Sequence, residues 1–520
     1  METERGIRSK KKDLKPIRTK TAHHGEEDGD GHVNNHDHEL VEEEPLSPSA
    51  RLFHEPNFNV YIIAIMGSKT QIRTDIVRAN LVQTLLKQPR FSSLQVVDDR
   101  GDMKWVRTKV DLDKHIIVPD LNPNMDSSDQ FVEDYVFNLS KTTIDMSQPL
   151  WDLHLLNVKT SDAEAVGIFR IHHSLGDGTS LISLLLACTR QISDPEALPT
   201  VPVKKKKKKE ENNSSWLWRC FIGFWWICQL FWHTVVDVFM FVATASFLSD
   251  TETPLKGPPG VELKPRRIIH RTVSLDDMKL VKNAMNMTVN DVALGITQAG
   301  LSRYLNRKYG HGKDETKNHL PKKIRLRSTL LINIRTSAGI QAFADMMEKG
   351  TEAKWGNWIG YVLLPFDIAV RGDPLDYVRQ AKTTIDRKKH SFEALYTFSI
   401  AELILKIFGI KRASALSHKV ITHTTMCFSN LVGPLEEIGY YGHPMAYLAP
   451  SCYGQPHALM INFQSYLNKM TIVLSVDEGT IPRPRELCDD IVDSLKLIKD
   501  AVIAKGLAKE YEGPASENSH

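Results

Sequence analysis

At 520 residues the chain is longer than most single domains and can bury one large core or two. Its hydrophobic content of 42% and charged content of 25% are those of an ordinary folded protein, which excludes a fibrous or wholly disordered chain. The formal net charge is +3, yet residues 204–209 are six consecutive lysines, and removing them leaves −3, so the basicity is one local run and not a broad face for nucleic acid.

The six cysteines, Cys188, Cys220, Cys228, Cys427, Cys452 and Cys488, are far apart, and none forms a CxxC pair. Several sit in apolar stretches and read as small hydrophobes, as expected of a protein body facing the reducing cytosol. Residues 1–31 hold no apolar stretch, so no secretory signal is expected there. Residues 1–45 are charged and almost free of large apolar side chains, which predicts a disordered tail. His23, His24, His32, His36 and His38 in it read as a solvated polar segment and not as a metal site. The folded part is expected to begin in PLSPSARLF, residues 45–53.

Residues 59–66 (NVYIIAIM) read as a strand, and apolar spacing over 76–86 reads as a helix. Further strands are expected at 94–97 and 116–118, and a helix at 129–139. In QPLWDLHLLNV, Trp151, Leu153 and Leu155 alternate with Asp152, His154 and Leu156, as in a strand. A hairpin would join it to residues 165–171 (AVGIFRI), short and branched enough for a buried strand. Trp151 reads as a core or tunnel-wall aromatic and His154 as a structural polar residue.

The buried strand runs into His172, His173, Ser174, Leu175, Gly176, Asp177 and Gly178, and a helix start with an apolar helix follows. The two histidines therefore stand at a strand end, where side chains of α/β layers can face a cleft. A neutral imidazole there can take a proton from a hydroxyl near neutral pH. Asp177 can brace the turn or the ring, and Gly178 lets the backbone approach without a Cβ.

Residues 194–214 combine prolines, the lysine run and polar residues, and read as a linker. The apolar stretch 216–248 follows, with Trp216, Trp218, Trp225, Trp226 and Trp232 crowded near its start. On a helix, Ser215, Arg219, Gln229, His233, Asp237 and Thr244 fall in a stripe ~80° wide. Such a helix is expected to contact membrane with its other faces rather than to be a soluble core helix; lying in the interface and crossing it both stay open.

In the second half, residues 267–273 read as a strand, LDDMKLVKNAM as a capped helix, and residues 288–291 as the start of another. Asn290 or Asp291 would cap that helix. Strands are expected at 328–334, 361–368, within HTTMCFSNLVGP, at 453–463 and at 469–476, the last two as a pair; a helix is expected at 487–498. No internal sequence repeat is present, although the order of elements in the halves is similar.

HHxxxDG resembles the active-site motif of the chloramphenicol-acetyltransferase-like acyltransferases. Together with Pro149-Leu150-Trp151 upstream, and with Asn290-Asp291-Val292, Asn357-Trp358-Ile359-Gly360 and Ser429-Asn430-Leu431-Val432-Gly433-Pro434 downstream, it is similar to the plant wax ester synthase/diacylglycerol acyltransferase group over about residues 46–505. The resemblance implies an α/β fold of two such subdomains, 46–195 and 266–505, joined by a crossover, 196–265, with the active-site tunnel at their interface and a tail after 505. It implies transfer of a long-chain acyl group from acyl-CoA to a long-chain alcohol or to diacylglycerol. His173 would be the general base, His172 a support of the turn with a direct role less favoured, and Asp177 a holder of the loop. Gly178 gives room at the tunnel, and Asn290 lines it. Arg335 is read as orienting Asp177, facing CoA phosphates or making an ordinary ion pair. GxSxG is absent, so no serine nucleophile is expected, and no metal or redox cofactor is implied. The endoplasmic reticulum membrane is the expected location, with the plasma membrane as a further site. The alternatives are another HxxxD acyltransferase with a different acceptor, or a non-catalytic lipid-binding or scaffold protein on the same fold. BAHD-type enzymes carry a DFGWG-like segment that this chain lacks, and condensation domains come with carrier neighbours for which it has no room.

Overall fold

The branched, apolar runs fold as strands and the capped periodic runs as helices in a computed structural model that describes residues 43–121, 127–202, 216–311, 317–333, 339–352, 355–357 and 359–508. Strand β1 (Tyr61–Ser68) is the first long strand. β2 (Trp151–Leu156) and β3 (Ala165–His172) form the expected hairpin, antiparallel with Trp151 opposite Ile171. Helix α1 (Gly178–Ala187) follows the histidine loop, and α2 (Trp216–Ser246) is the long apolar helix. Then come β4 (Arg267–Ser274), α3 (Leu275–Ala284) and α4 (Val289–Gly310). They are followed by β5 (Leu326–Asn333), β6 (Ile359–Phe366), α5 (Leu375–Lys389) and α6 (Glu393–Thr422). The last elements are β7 (Met426–Leu431), β8 (His443–Tyr453), β9 (Leu459–Tyr466), β10 (Lys469–Val476) and α7 (Pro484–Ala504).

Two large sheets result. The first orders its strands as Ile116–Ile117, β2, β3, β1, β8, Ile438–Tyr440 and Thr189–Gln191. β8 comes from the second half of the chain, yet it lies antiparallel to β1 with Ala449 opposite Ile65. The second sheet runs β6–β5–β7–β9–β10–β4. Side chains alternate across a strand, so its two faces differ. Met426 and Phe428 of β7 and Leu459, Ile461 and Phe463 of β9 pack into an apolar core with α3, α4, α5 and α7. The intervening Cys427, Ser429, Met460 and Asn462 face the opposite way, into a cavity shared with the first sheet.

Three expectations change. Glu43–Pro45, read as the end of the tail, is an edge strand on Met103–Arg107. Backbone pairing and ion pairs from Arg90 to Glu44 (2.7 Å) and Lys104 to Glu43 (3.4 Å) hold it, so its acidic composition hid it. The single strand expected at 453–463 is two: β8 ends at Tyr453, a turn intervenes, and β9 begins at Leu459 and pairs with β10 as expected. The third change is an addition, the 30-residue helix α6, which carries a break at Gly409.

The polar stripe expected on α2 is the face pressed on the protein. Asp237 and Thr244 are buried, and Gln229 and His233 are half-buried; Ser215 lies outside the described residues. Asp237 Oδ1 accepts from both terminal nitrogens of Arg387 (2.9 and 2.7 Å) and from Lys388 Nζ (2.9 Å), all on α5. Thr244 Oγ1 accepts from Arg327 of β5 (2.5 Å), which also binds Asp250 (2.6 Å). These bonds clamp residues 229–246 along one side. Phe231, Trp232 and Phe239 on the outer side are 65–71% exposed, and residues 220–228 are exposed throughout.

Candidate active site

The end of β3 and the start of α1 hold the motif loop. Asp177 is the N-cap of α1, and its Oδ1 accepts from the Ser180 amide at 2.8 Å. That bond satisfies one of the amides a helix start leaves unpaired and fixes the loop's path. Gly178 is the first residue of the helix, and a Cβ there would meet nothing within 4 Å.

The two histidines differ in what surrounds them. His172 has both ring nitrogens engaged. Its Nδ1 lies 2.6 Å from Ser174 Oγ, which accepts from Gln95 Nε2 at 2.8 Å. Its Nε2 faces Asn59 Oδ1 at 3.0 Å and the Phe53 carbonyl at 3.1 Å. Because both of the latter are acceptors, Nε2 carries the proton and Nδ1 accepts from the serine hydroxyl. Burial, with the neighbouring imidazoles His54 and His173, holds its pKa well below the ordinary value.

His173 is buried too, but its ring is not tied. Nδ1 has no hydrogen-bond partner among the described residues. The ring stacks on Phe53 with centroids 4.1 Å apart, and the residue lines the cavity between the sheets. Its main chain is held firmly: the amide donates to the Val60 carbonyl (2.9 Å), and the carbonyl accepts from Asn357 Nδ2 (3.0 Å). Lost hydration pushes its pKa down to about 4, although its own carbonyl, the Asp177 carboxylate and Asn357 all favour the protonated ring. At neutral pH the ring is therefore an uncharged base.

The cavity has a volume of about 150 Å³. Phe169, Ile171 and the apolar side of α1 form one wall; Ser429, Leu431, Met460 and Asn462 form the other. Among the described residues, His173 and Asp177 are the only histidine and carboxylate on it. Trp151 lies one ring behind the first wall, fully buried, with Nε1 donating to the Phe91 carbonyl (2.9 Å). Asn290 is exposed at the start of α4, outside the cavity lining. Its Oδ1 accepts from Asn430 Nδ2 (2.5 Å), which ties α4 to β7 between the lining residues Ser429 and Leu431. The capping box that starts α4 belongs to Thr288 and Asp291. Arg335 lies outside the described residues.

Residues 53–293 match the family model for the wax ester synthase/diacylglycerol acyltransferase catalytic domain, and residues 355–499 match that for the WS/DGAT C-terminal domain. The chain belongs to this family. Wax ester synthase/diacylglycerol acyltransferase 11 of Arabidopsis thaliana is 53% identical over 90% of this chain and 97% of its own length. Number 5 of the same plant is 50% identical over 89% and 94%. Among solved structures, the wax ester synthase/diacylglycerol acyltransferase of Marinobacter aquaeolei VT8 has the same fold, with a TM-score of 0.55 at 17% identity, over 88% of this chain and all of that one. The first condensation domain of the CDA synthetase shares the fold as well, with a TM-score of 0.54 at 9% identity over 89% and 96%.

As a member of the WS/DGAT family the chain has the two-subdomain acyltransferase fold, with HHxxxDG at the junction. Two residues of the site carry no sequence signal of their role. Phe53, at the end of PLSPSARLF, marks the start of the folded part in the sequence, yet it stacks on His173. Asn357 opens the NWIG motif and holds the His173 carbonyl from a distance of 184 positions. Nothing in the local pattern of either residue shows such a partner.

Proposed function

We propose that this chain transfers a long-chain acyl group from acyl-CoA to the hydroxyl of a long-chain alcohol, giving a wax ester, or of diacylglycerol, giving triacylglycerol. The observation that carries this reading is an uncharged, untied imidazole on the wall of an apolar cavity between the two sheets. Nδ1 of His173 is enclosed, so Nε2 is the nitrogen through which the ring reaches the cavity. It takes the hydroxyl proton as the alcohol oxygen attacks the thioester carbonyl. The tetrahedral intermediate then collapses, the C–S bond breaks, and the proton passes to the departing CoA thiolate. Thr179 of α1 brings a hydroxyl to the same wall as His173, the kind of donor a developing oxyanion needs. Excluding water from such a cavity protects the thioester from hydrolysis.

The same reading places the enzyme on a membrane. Both acceptors are lipids, and the outer face of α2 offers aromatic and aliphatic side chains beside a lysine run suited to anionic headgroups. The clamp through Asp237 and Thr244 favours α2 lying along the membrane over crossing it. The endoplasmic reticulum is the proposed location, with the catalytic body on the cytosolic side.

The test is an assay on membranes containing the protein, with labelled palmitoyl-CoA and either hexadecanol or diacylglycerol, beside His173→Ala. Product that disappears in the variant supports the reading, and the ratio of wax ester to triacylglycerol names the acceptor. Folded protein that makes neither product overturns it. Protease access to tags on either side of α2 in sealed microsomes checks the helix: protection of one tag alone would show that it crosses.

A further inference from the structure

A second, small apolar cavity, of about 20 Å³, lies in the elbow of α6. Ile400, Ala401 and Ile404 line it from the first arm of that helix, Leu416 from the second, and Phe241 of α2 and Tyr361 of β6 complete the wall. The elbow is set by Gly409, whose φ of 75° and ψ of 177° suit a residue without a Cβ. The approach of α6 to the sheet is set by Gly360, where a Cβ would lie 2.2 Å from the Ala394 carbonyl oxygen.

This cavity and the active-site cavity are on the same face of the same sheet. β6 and β7 are separated only by β5, two strand spacings or about 10 Å. Tyr361 is the partition. Toward the elbow it packs against Phe241, Leu363 and Val420; on the other side it packs against Phe58, Val60 and Ile421, a cluster that Cys452 and Phe53 also border. Cys452 lines the active-site cavity, and Phe53 stacks on the His173 ring. One half-buried side chain therefore touches both the elbow and the surroundings of the base.

Outside, the elbow is surrounded by exposed hydrocarbon. Leu403, Ile407 and Phe408 on the first arm of α6 are 56–63% exposed, and Phe239 and Val242 on the neighbouring α2 are 66% and 50% exposed. Lys406, Lys411 and Arg412 are exposed around the same bend, and their charge is complementary to anionic headgroups.

We propose that the elbow cavity is the passage by which a hydroxyl-bearing aliphatic acceptor moves sideways from the bilayer to His173, with Tyr361 as its gate and the first arm of α6 seated in lipid beside α2. The proposal rests on the acyltransferase reading above. The chemistry it recognises is a hydrocarbon chain ending near a hydroxyl, whether from a fatty alcohol or from diacylglycerol.

The experiment uses the full chain in phosphatidylcholine/phosphatidylserine vesicles carrying a diazirine-bearing hexadecanol or, in a second arm, a diazirine-bearing diacylglycerol. Irradiation is expected to label the peptides holding Ile404 and Leu416, and the arm that does so names the source. Ala401→Trp and, as a milder filling, Ile404→Phe are expected to cut that labelling and transfer from palmitoyl-CoA to hexadecanol by about tenfold, while transfer to hexanol, small enough to arrive through water, stays within about twofold. Labelling confined to α1 and β7, with hexadecanol transfer unchanged in both variants, overturns the passage and leaves the acyltransferase reading standing. Equal losses with hexadecanol and hexanol in both variants also overturn it, because filling the elbow would then act on the fold. Elbow labelling that persists in His173→Ala and is lost in Ala401→Trp supports the passage even if wild type forms no product, an outcome that would sink the catalytic reading alone.

Discussion

The two walls of the active-site cavity are built from the same kind of strand but do different work. The wall from β1, β3 and α1 carries the motif histidines and Asp177, locked by a chain of hydrogen bonds from Gln95 through Ser174 and His172 to Asn59. The other wall, from β7 and β9 of the second sheet with β8 of the first beside it, carries no imidazole or carboxylate among the described residues. Its thiols are neutral, with burial pushing Cys427 up to about 12 and Cys452 higher still, and its polar groups pair among themselves, as Asn462 Nδ2 does with Ser451 Oγ at 2.8 Å. On the proposed mechanism chemistry is confined to one wall, and shape is left to the other. A sequence change on the second wall can then alter which lipid fits without disturbing proton transfer.

The sharpest way to break this division is at the paired histidines. His173→Ala is expected to lower kcat/KM by about 10²–10⁴, the usual contribution of a general base. Its thermal midpoint should hold, because the ring's Nδ1 has no partner to lose. His172→Phe should give the opposite signature. It strands the buried Ser174 hydroxyl and the Asn59 side chain, at a cost of about 2–3 kcal/mol in stability, and activity should fall only as the folded fraction falls. Thermal denaturation beside initial rates separates the two. If His172→Phe were stable and inactive, the ring would have a direct part in the reaction.

Acid should act on the first wall alone. A base works when unprotonated, so kcat/KM should fall as pH drops through about 4, the His173 value, and not through the ordinary 6.5. Stability moves over the same window. His173, His270 (about 4) and His457 (about 3) are neutral in the fold by burial, so below 6.5 the unfolded chain binds more protons and stability declines toward pH 4. Initial rates from brief exposure, paired with denaturant midpoints at each pH, keep the effects apart. An acid limb at 6.5 in folded protein would mean that His173 is hydrated in solution.

Much of this was legible in the sequence because its signals are local. Alternation wrote the β2–β3 hairpin, the glycine-containing loop placed the histidines at a strand end, and the polar stripe on α2 marked its clamped face. What was missed depends on distant partners. β8 contains Pro444 and Pro450, which break the appearance of a strand. It is tolerated because its far edge pairs only near Pro444 with Ile438–Tyr440, so a missing amide beyond that costs no ladder bond there. α6 has no side-chain cap and carries a glycine in mid-helix, and its apolar residues divide between elbow, sheet and exterior, so no single face stands out. Asn357 shows its role only once two halves of the chain meet.

The second wall offers the smallest effect and the finest test. Cys427 points into the cavity from β7, between Met426 and Phe428, which face the helical core. Cys427→Phe adds bulk on the cavity side without touching that core or the hydrogen bonds around His173. One methylene more or less in a fitted apolar site changes discrimination by about 1–3 kcal/mol, so narrowing this wall should lower the ratio of kcat/KM for sixteen-carbon over ten-carbon acyl-CoA by about tenfold. The ten-carbon rate itself should hold, because a shorter chain does not need the lost space. Competition between the two donors in one reaction reads the ratio directly. A uniform loss with both would mean that the second wall positions the base as well as the lipid, and the division of labour between the walls would fail.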